Sequence, residues 1–232
     1  MITDWVFEAN ERTVAASEFL YLRLAHARGY CITCSFQAED MVVLHMARQI
    51  DPRIPVIFLE TGYHFPETIE YRDRMQLEWN LNLINVSAEL TVAEQESQFG
   101  ILHQTAPDRC CAIRKVDPLF RALGQYEIWV TGLRRRQSRS RANLQTEEPF
   151  TLPGGHTLAK LSPLAEWTTR EVWRYASTHG IPLLPLYEQG YTSIGCSPVT
   201  CTAKPDPNLD ARSGRWAGDV KSECGLHLDF GP

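Results

Sequence analysis

The chain has 232 residues, enough for one large domain or a domain with an extension, and its 44% hydrophobic and 22% charged residues are those of an ordinary globular protein. A net charge of −5 gives no support to non-specific nucleic-acid binding, and no apolar run approaches the length that spans a bilayer. Met1-Ile2-Thr3-Asp4-Trp5 lacks a basic-then-apolar signal, so the expected location is cytoplasmic, where thiols stay reduced and seven cysteines suggest metal ligation or redox chemistry rather than a disulfide framework.

Taken in order, apolar residues at helical spacing predict a helix from about Trp5 to Arg28, with Gly29 as its stop. A short β-prone stretch, Tyr30 to Cys34, runs into Ser35-Phe36-Gln37-Ala38-Glu39-Asp40 and then a helix over Met41 to Ile50. Strand, small polar loop and helix is a layout that aims backbone N–H groups at a phosphate, although this loop has no glycine. Cys31 and Cys34 form a C-x-x-C inside a buried strand, which separates the two thiols and favours packing over a redox pair. Pro55 to Leu59 is a continuous apolar run, as in a parallel strand covered on both faces. It ends at the polar Glu60-Thr61-Gly62-Tyr63-His64, where open α/β sheets bind ligands, and Pro66 starts a helix reaching about Trp79.

Leu81 to Val86 predicts a third strand, Val92 to Gly100 a helix, and Glu127 to Thr131 a further strand. This last strand enters a run holding five arginines in eight residues, Arg134 to Arg141. In an acidic chain such a patch after a strand suits a small anionic ligand, and Arg grips phosphate or sulfate bidentately. Leu158 to Leu161 predicts a short strand, and Thr168 with Glu171 a helix start. After Leu186 regular signals fade. The expected class is α/β, a mainly parallel sheet flanked by helices, with an α/β domain over 1–186 and an irregular C-terminal arm over 187–232. In that arm Cys224, eight residues before the end, has Arg212, Arg215, Lys221 and His227 as near neighbours in sequence. These cations favour a reactive thiolate; a spare thiol on a surface tail is the other reading.

The ordered set SFQAED (Ser35 to Asp40), LETGYHFPET (Leu59 to Thr68), CCAIRKVDPL (Cys110 to Leu119), TGLRRRQSRSRA (Thr131 to Ala142), KLSPLAEW (Lys160 to Trp167), YTSIGC (Tyr191 to Cys196), GRW (Gly214 to Trp216) and ECGLH (Glu223 to His227) resembles the assimilatory adenylyl-sulfate and phosphoadenylyl-sulfate reductases, iron–sulfur branch. The resemblance implies an adenine-nucleotide α-hydrolase-like fold, of the PP-loop type. It implies a four-iron, four-sulfur cluster on Cys110, Cys111, Cys196 and Cys201, with zinc on the same thiolates as the alternative. Here the family's C-x-x-C is stretched, with Val199 where its second Cys would stand. The implied reaction is reduction of adenylyl sulfate to sulfite and AMP. Cys224 is the nucleophile, Lys115, Arg212 and Arg215 contact the sulfate, and His227 tunes the thiolate or orients the tail. Ser35, Thr61, Gly132, Arg134 and Arg135, at predicted strand ends, are expected to bind the nucleotide. Thioredoxin or glutaredoxin is the implied electron donor; homo-oligomerisation stays open. The same chemistry on 3′-phosphoadenylyl sulfate, which Arg136 would favour, is the nearest rival, and an adenylating ATP pyrophosphatase a more distant one, since SFQAED lacks that loop's glycines.

Overall fold

The computed structural model describes residues 2–197 (2–10 by backbone alone), 201–206, 212–216, 221, 223, 225 and 226. Six strands form one sheet: β1 (Tyr30–Thr33), β2 (Pro55–Glu60), β3 (Asn82–Ser87), β4 (Ile128–Val130), β5 (Glu147–Thr151) and β6 (Thr157–Leu161), in the order β3-β2-β1-β4-β6-β5. All neighbours pair in parallel except β5 on β6, a hairpin whose first strand lies at the sheet edge. The sequence does not predict β5, because Glu147-Glu148-Pro149 is poor strand material. Pro149 is tolerated at an edge, where a missing N–H breaks no ladder on the outer side.

The helices are α1 (Ile2–Leu24), α2 (Ala38–Ile50), α3 (Pro66–Glu78), α4 (Val92–Phe99), α5 (Leu102–Thr105), α6 (Pro107–Cys111), α7 (Asp117–Leu123) and α8 (Thr169–Thr178). The first ends four residues before the expected Arg28. Elsewhere the expected boundaries are met within a few residues, and α4 and α8 open on the capping boxes of Thr91 with Glu94 and Thr168 with Glu171. One apolar core gathers α1, α2, α3 and α8 against one face of the sheet; a second, around Trp129, Leu119 and Phe150, lies under α7 on the other. Cys31 and Cys34 are buried and unpaired, so these thiols pack the sheet. No described helix is long and apolar enough to cross a membrane.

From β1 the chain goes to β2 and β3 on one side and returns to β4 on the other. The order therefore reverses between β1 and β4. Connections leaving that point diverge to opposite faces and leave a crevice at the carboxyl ends of the strands.

Candidate active site

A cavity of about 220 Å³ opens in that crevice. Its floor is made where the strands run out: Thr33 to Ser35 after β1, Leu59 and Thr61 after β2, and Thr131 and Gly132 after β4. Ser35 does not face an anion freely, because Asp40 has arrived first. The Asp40 carboxylate accepts the Ser35 backbone N–H at 2.7 Å and the Ser35 hydroxyl at 2.5 Å. Burial pushes Asp40 up to about 6, against the lowering effect of the bonds from Ser35 and the Gly132 amide. A Cβ at Gly132 would collide with Asp40, lying 2.8 Å from its backbone nitrogen. Glycine is needed there for the close approach of α2, whatever else it does for a nucleotide. The loop lacks glycine but still turns through the left-handed region, at Phe36 (φ 61°). Phe36 tolerates this because its ring is buried edge-on against Phe58 and Tyr71, at 5.7 and 6.1 Å.

The arginine run divides. Arg134 borders the cavity, but its buried guanidinium is tied to Glu39, the Trp167 carbonyl and the Thr169 hydroxyl. Arg135 turns away, donating to the Leu144 carbonyl at 2.7 Å and to Glu166 at 2.9 Å, and is not among the cavity's lining residues. Arg136 and Arg141 line it. Sequence spacing could not separate these four, since a short 3₁₀ turn at Arg135–Gln137 sets which side each faces.

Cys110 and Cys111 end α6, and a single π turn, Ala112–Val116, follows before α7. Its cause is local. Pro118 has no N–H to give Arg114 and its ring would crowd that carbonyl, so the backbone widens and the Asp117 N–H reaches back to Ala112. The π turn carries Arg114 and Lys115. Arg114 is buried and donates to the carbonyls of Thr61 and Leu90 and to Gln95, tying this helix to the end of β2. Lys115 lines the cavity, and its charge favours the ionised forms of Cys110, Cys196 and Cys201. It stands between the crevice and the thiols.

Cys196 comes in from the arm through one antiparallel bridge to His64 and contacts the Thr61 hydroxyl at 3.5 Å. Cys201 shares a hydrogen bond with Cys196; that bond, with Lys115, Thr61 and His64 nearby, pulls the Cys196 thiol well below its ordinary range despite burial. Cys111, Cys196 and Cys201 pack with Trp216, and all four candidate ligands are buried and unpaired by disulfides. Among the described residues no three His, Cys, Asp or Glu side chains gather closely enough to hold a metal ion.

The arm closes the crevice. Arg212, Arg215 and Leu226 are among its walls, and Arg215 fits against Gly195 and donates to the Cys201 carbonyl at 3.0 Å. Lys221 is ion-paired with Asp108 on α6. Cys224, His227 and Val199 lie outside the described residues.

The family described as the phosphoadenosine phosphosulfate reductase domain matches residues 29–203. The chain belongs to this reductase family. It is 46% identical to an adenosine 5'-phosphosulfate reductase of Rhodococcus opacus over 82% of this chain and 75% of that one. It is 43% identical to a phosphoadenosine 5'-phosphosulfate reductase of Gloeobacter violaceus over 84% and 81%. Its fold is similar to that of a phosphoadenylyl-sulfate reductase from Candida auris, with a TM-score of 0.68 at 23% identity over 79% of this chain and 88% of that one. The fold is thus adenine-nucleotide α-hydrolase-like, as the sequence led one to expect.

Of the residues expected from the sequence, the structure of this family member brings Ser35, Thr61, Gly132, Arg134, Lys115, Arg212 and Arg215 around one cavity; Arg135, expected to bind the nucleotide, lies outside it because Leu144 and Glu166 hold its guanidinium. Sequence reasoning missed Asp40, His64, Arg141 and Glu223. The first three were visible only as members of longer motifs. Glu223 had one signal, its position beside Cys224.

Proposed function

We propose that this chain reduces adenylyl sulfate to sulfite and AMP through a sulfonated Cys224. The observation that supports this most is that Arg212, Arg215 and Leu226, from the segment carrying Cys224, wall the same cavity into which β1, β2 and β4 open. A nucleotide held at the strand ends would then present its sulfate to the arm. The Cys224 thiolate attacks sulfur, the S–S bond forms, and the S–O bond to the phosphate breaks with its electron pair leaving on AMP. Lys115, Arg212 and Arg215 stabilise the charge moving through the sulfonyl group, and His227 tunes or orients the thiolate. A dithiol protein, thioredoxin or glutaredoxin, then attacks the Cys224 sulfur. Sulfite departs with an electron pair, and the carrier's second thiol resolves the mixed disulfide, leaving an oxidised carrier and a free Cys224. The division into a nucleotide-binding domain over 1–186 and an arm over 187–232 belongs to the same reading, with the arm closing for the first step and opening for the second.

Cys110, Cys111, Cys196 and Cys201 are proposed to hold a four-iron, four-sulfur cluster. The donor set is all sulfur, and a buried N–H donor packed against it, Trp216 Nε1, has no hydrogen-bond partner among the described residues, as expected where inorganic sulfide is to be received. Zinc would need the four sulfurs drawn around one point, whereas in a cluster each thiolate meets its own iron. When bound, the cluster would fasten the arm to α6 and set its charge beside Lys115. Iron and acid-labile sulfide analysis of anaerobic protein tests the assignment.

Mass spectrometry of protein mixed with adenylyl sulfate and no reductant tests the chemistry; a protein that never carries a sulfonate on Cys224 sinks it. One observation favours 3′-phosphoadenylyl sulfate instead: Arg136 lines the cavity as a further cation. Sulfite release rates on the two nucleotides decide between them.

A further inference from the structure

Glu223 is held more completely than a surface carboxylate ordinarily is. One carboxylate oxygen accepts from the Ser138 and Ser140 hydroxyls at 2.9 and 3.0 Å; the other accepts from Arg141 at 2.8 Å and Arg212 at 3.3 Å. Three of the four donors belong to the arginine loop after β4, not to the arm. That loop is itself braced inward. Arg141 donates to the Gln137 side chain at 2.5 Å, Gln137 accepts the Arg134 backbone N–H at 3.1 Å, and the Arg134 guanidinium is ion-paired with Glu39 on α2. Glu223 therefore docks onto a surface fixed by the sheet. Burial would raise its carboxyl, but Arg141 and Arg212, together with the Ser138 hydroxyl, outweigh that and hold it below its ordinary range.

Three residues on, Leu226 packs into the cavity wall and against the apolar core under α7. Between them Gly225 has φ 81°, a left-handed turn that a side chain would resist. Glu223 and Leu226 are thus both held, the first by its carboxylate and the second by its apolar side chain. Leu226 supplies contact but little direction; the four-donor grip on Glu223 fixes direction as well.

We propose that Glu223 is a positioning residue that seats the cysteine-bearing segment against the substrate cavity by docking on Ser138, Ser140, Arg141 and Arg212. The proposal rests on Cys224 as the nucleophile. Undocking of this one carboxylate is the step that lets the arm leave the cavity and present its sulfonated thiol to a protein reductant. Arg141 and Arg212 line the cavity as well. Docking therefore spends part of their charge on the chain itself.

The test uses the full-length protein as Glu223→Gln, Glu223→Asp and the paired change Ser138→Ala with Ser140→Ala, which weakens the same contact from the loop side. Two rates are read by peptide-resolved mass spectrometry: alkylation of Cys224 by iodoacetamide without substrate, and sulfonation of Cys224 by adenylyl sulfate in a single turnover without reductant. In Glu223→Gln alkylation should rise about tenfold as the docked population falls, and sulfonation should slow by about ten- to a hundredfold through misplacement. AMP affinity should stay within about twofold, and dithiothreitol should discharge a preformed adduct no more slowly than in wild type. The serine pair should move both rates in the same direction, and Glu223→Asp should recover part of each. Unchanged alkylation and sulfonation in Glu223→Gln and in the serine pair overturn the proposal. Should Glu223→Gln fail to fold, the serine pair decides alone. If wild type itself forms no adduct, the nucleophile assignment has failed, while the alkylation rates still report whether Glu223 docks the arm.

Discussion

A carboxylate that lines the cavity and one bonded to two of the cavity's arginines sit in opposite electrostatic states. Asp40 takes its hydrogen bonds from backbone amides and a hydroxyl, all neutral, and burial wins: its carboxyl is pushed up to about 6. Glu223 takes its bonds from two guanidiniums and two hydroxyls, and its carboxyl is held low although burial opposes this. The number of hydrogen bonds is similar; the charge of the donors decides. The contrast extends to the regions they belong to. The sheet end is closed by backbone geometry, with Asp40 wedged against Gly132. The arm is closed by side-chain charge, through Glu223, Lys221 and Arg215. A region built the first way keeps its shape when conditions change. A region built the second way can open.

The sharpest way to break this contrast is at the thiol. Cys224→Ser should lower sulfite release from adenylyl sulfate on the order of 10³-fold or more while AMP affinity stays within about twofold, because the proposed mechanism lodges chemistry in the arm and binding in the sheet. Comparable loss of both, by activity assay and calorimetric titration, would mean the two regions are one. Next is Arg114→Ala, which strips the buried guanidinium joining the π turn to the Thr61 and Leu90 carbonyls. We expect a loss of about 3 kcal/mol in urea unfolding, since two carbonyls and Gln95 lose a charged partner.

On the proposed reading of the four thiols as cluster ligands, removing iron with a chelator should speed proteolytic cleavage within the arm about tenfold and leave the sheet end intact. Equal protection of the arm with and without iron would show that the thiols do not fasten it. A pH-dependent effect distinguishes the two carboxylates. Asp40 is raised above its unfolded value, so native protein holds the extra proton between about pH 4 and 6, and stability falls across that window as pH rises. Relative to Asp40→Asn, wild type should therefore be less stable at pH 7 than at pH 4.5, by on the order of 2 kcal/mol. Glu223 has the reverse sign. Its low carboxyl stabilises the docked arm at neutral pH, and that contribution is lost as pH falls below the ordinary carboxyl range. Cys224 alkylation in wild type should accordingly be compared at pH 7 and below 4.5, after correction for thiolate content.

Periodicity and punctuation made most of the fold legible. Pro55 to Leu59, Pro66, and Thr168 with Glu171 announce their strand, helix start and cap through local sterics and hydrogen bonding, which need no partner far along the chain. The edge strand β5 was not legible, because its support, pairing with β6 and burial of Phe150 beside Trp129, comes from outside the strand. The π turn escaped notice for a related reason: Pro118 marks a disturbance, but not how the helix absorbs it.

For the site, the sequence by itself determined the chemical inventory: the cysteine pair, the arginine run, the strand-end Thr61 and Gly132, and the thiol near the chain end. Only the tertiary structure decided which arginines face the cavity, that Asp40 occupies the amides of Ser35 and Gly132, and that Glu223 is gripped from the loop after β4. The reason is range. Residue type and local spacing fix what a segment can offer, while burial and partners far along the chain set a side chain's direction and charge state, as Gly132 does for Asp40 and Ser138 and Arg141 do for Glu223.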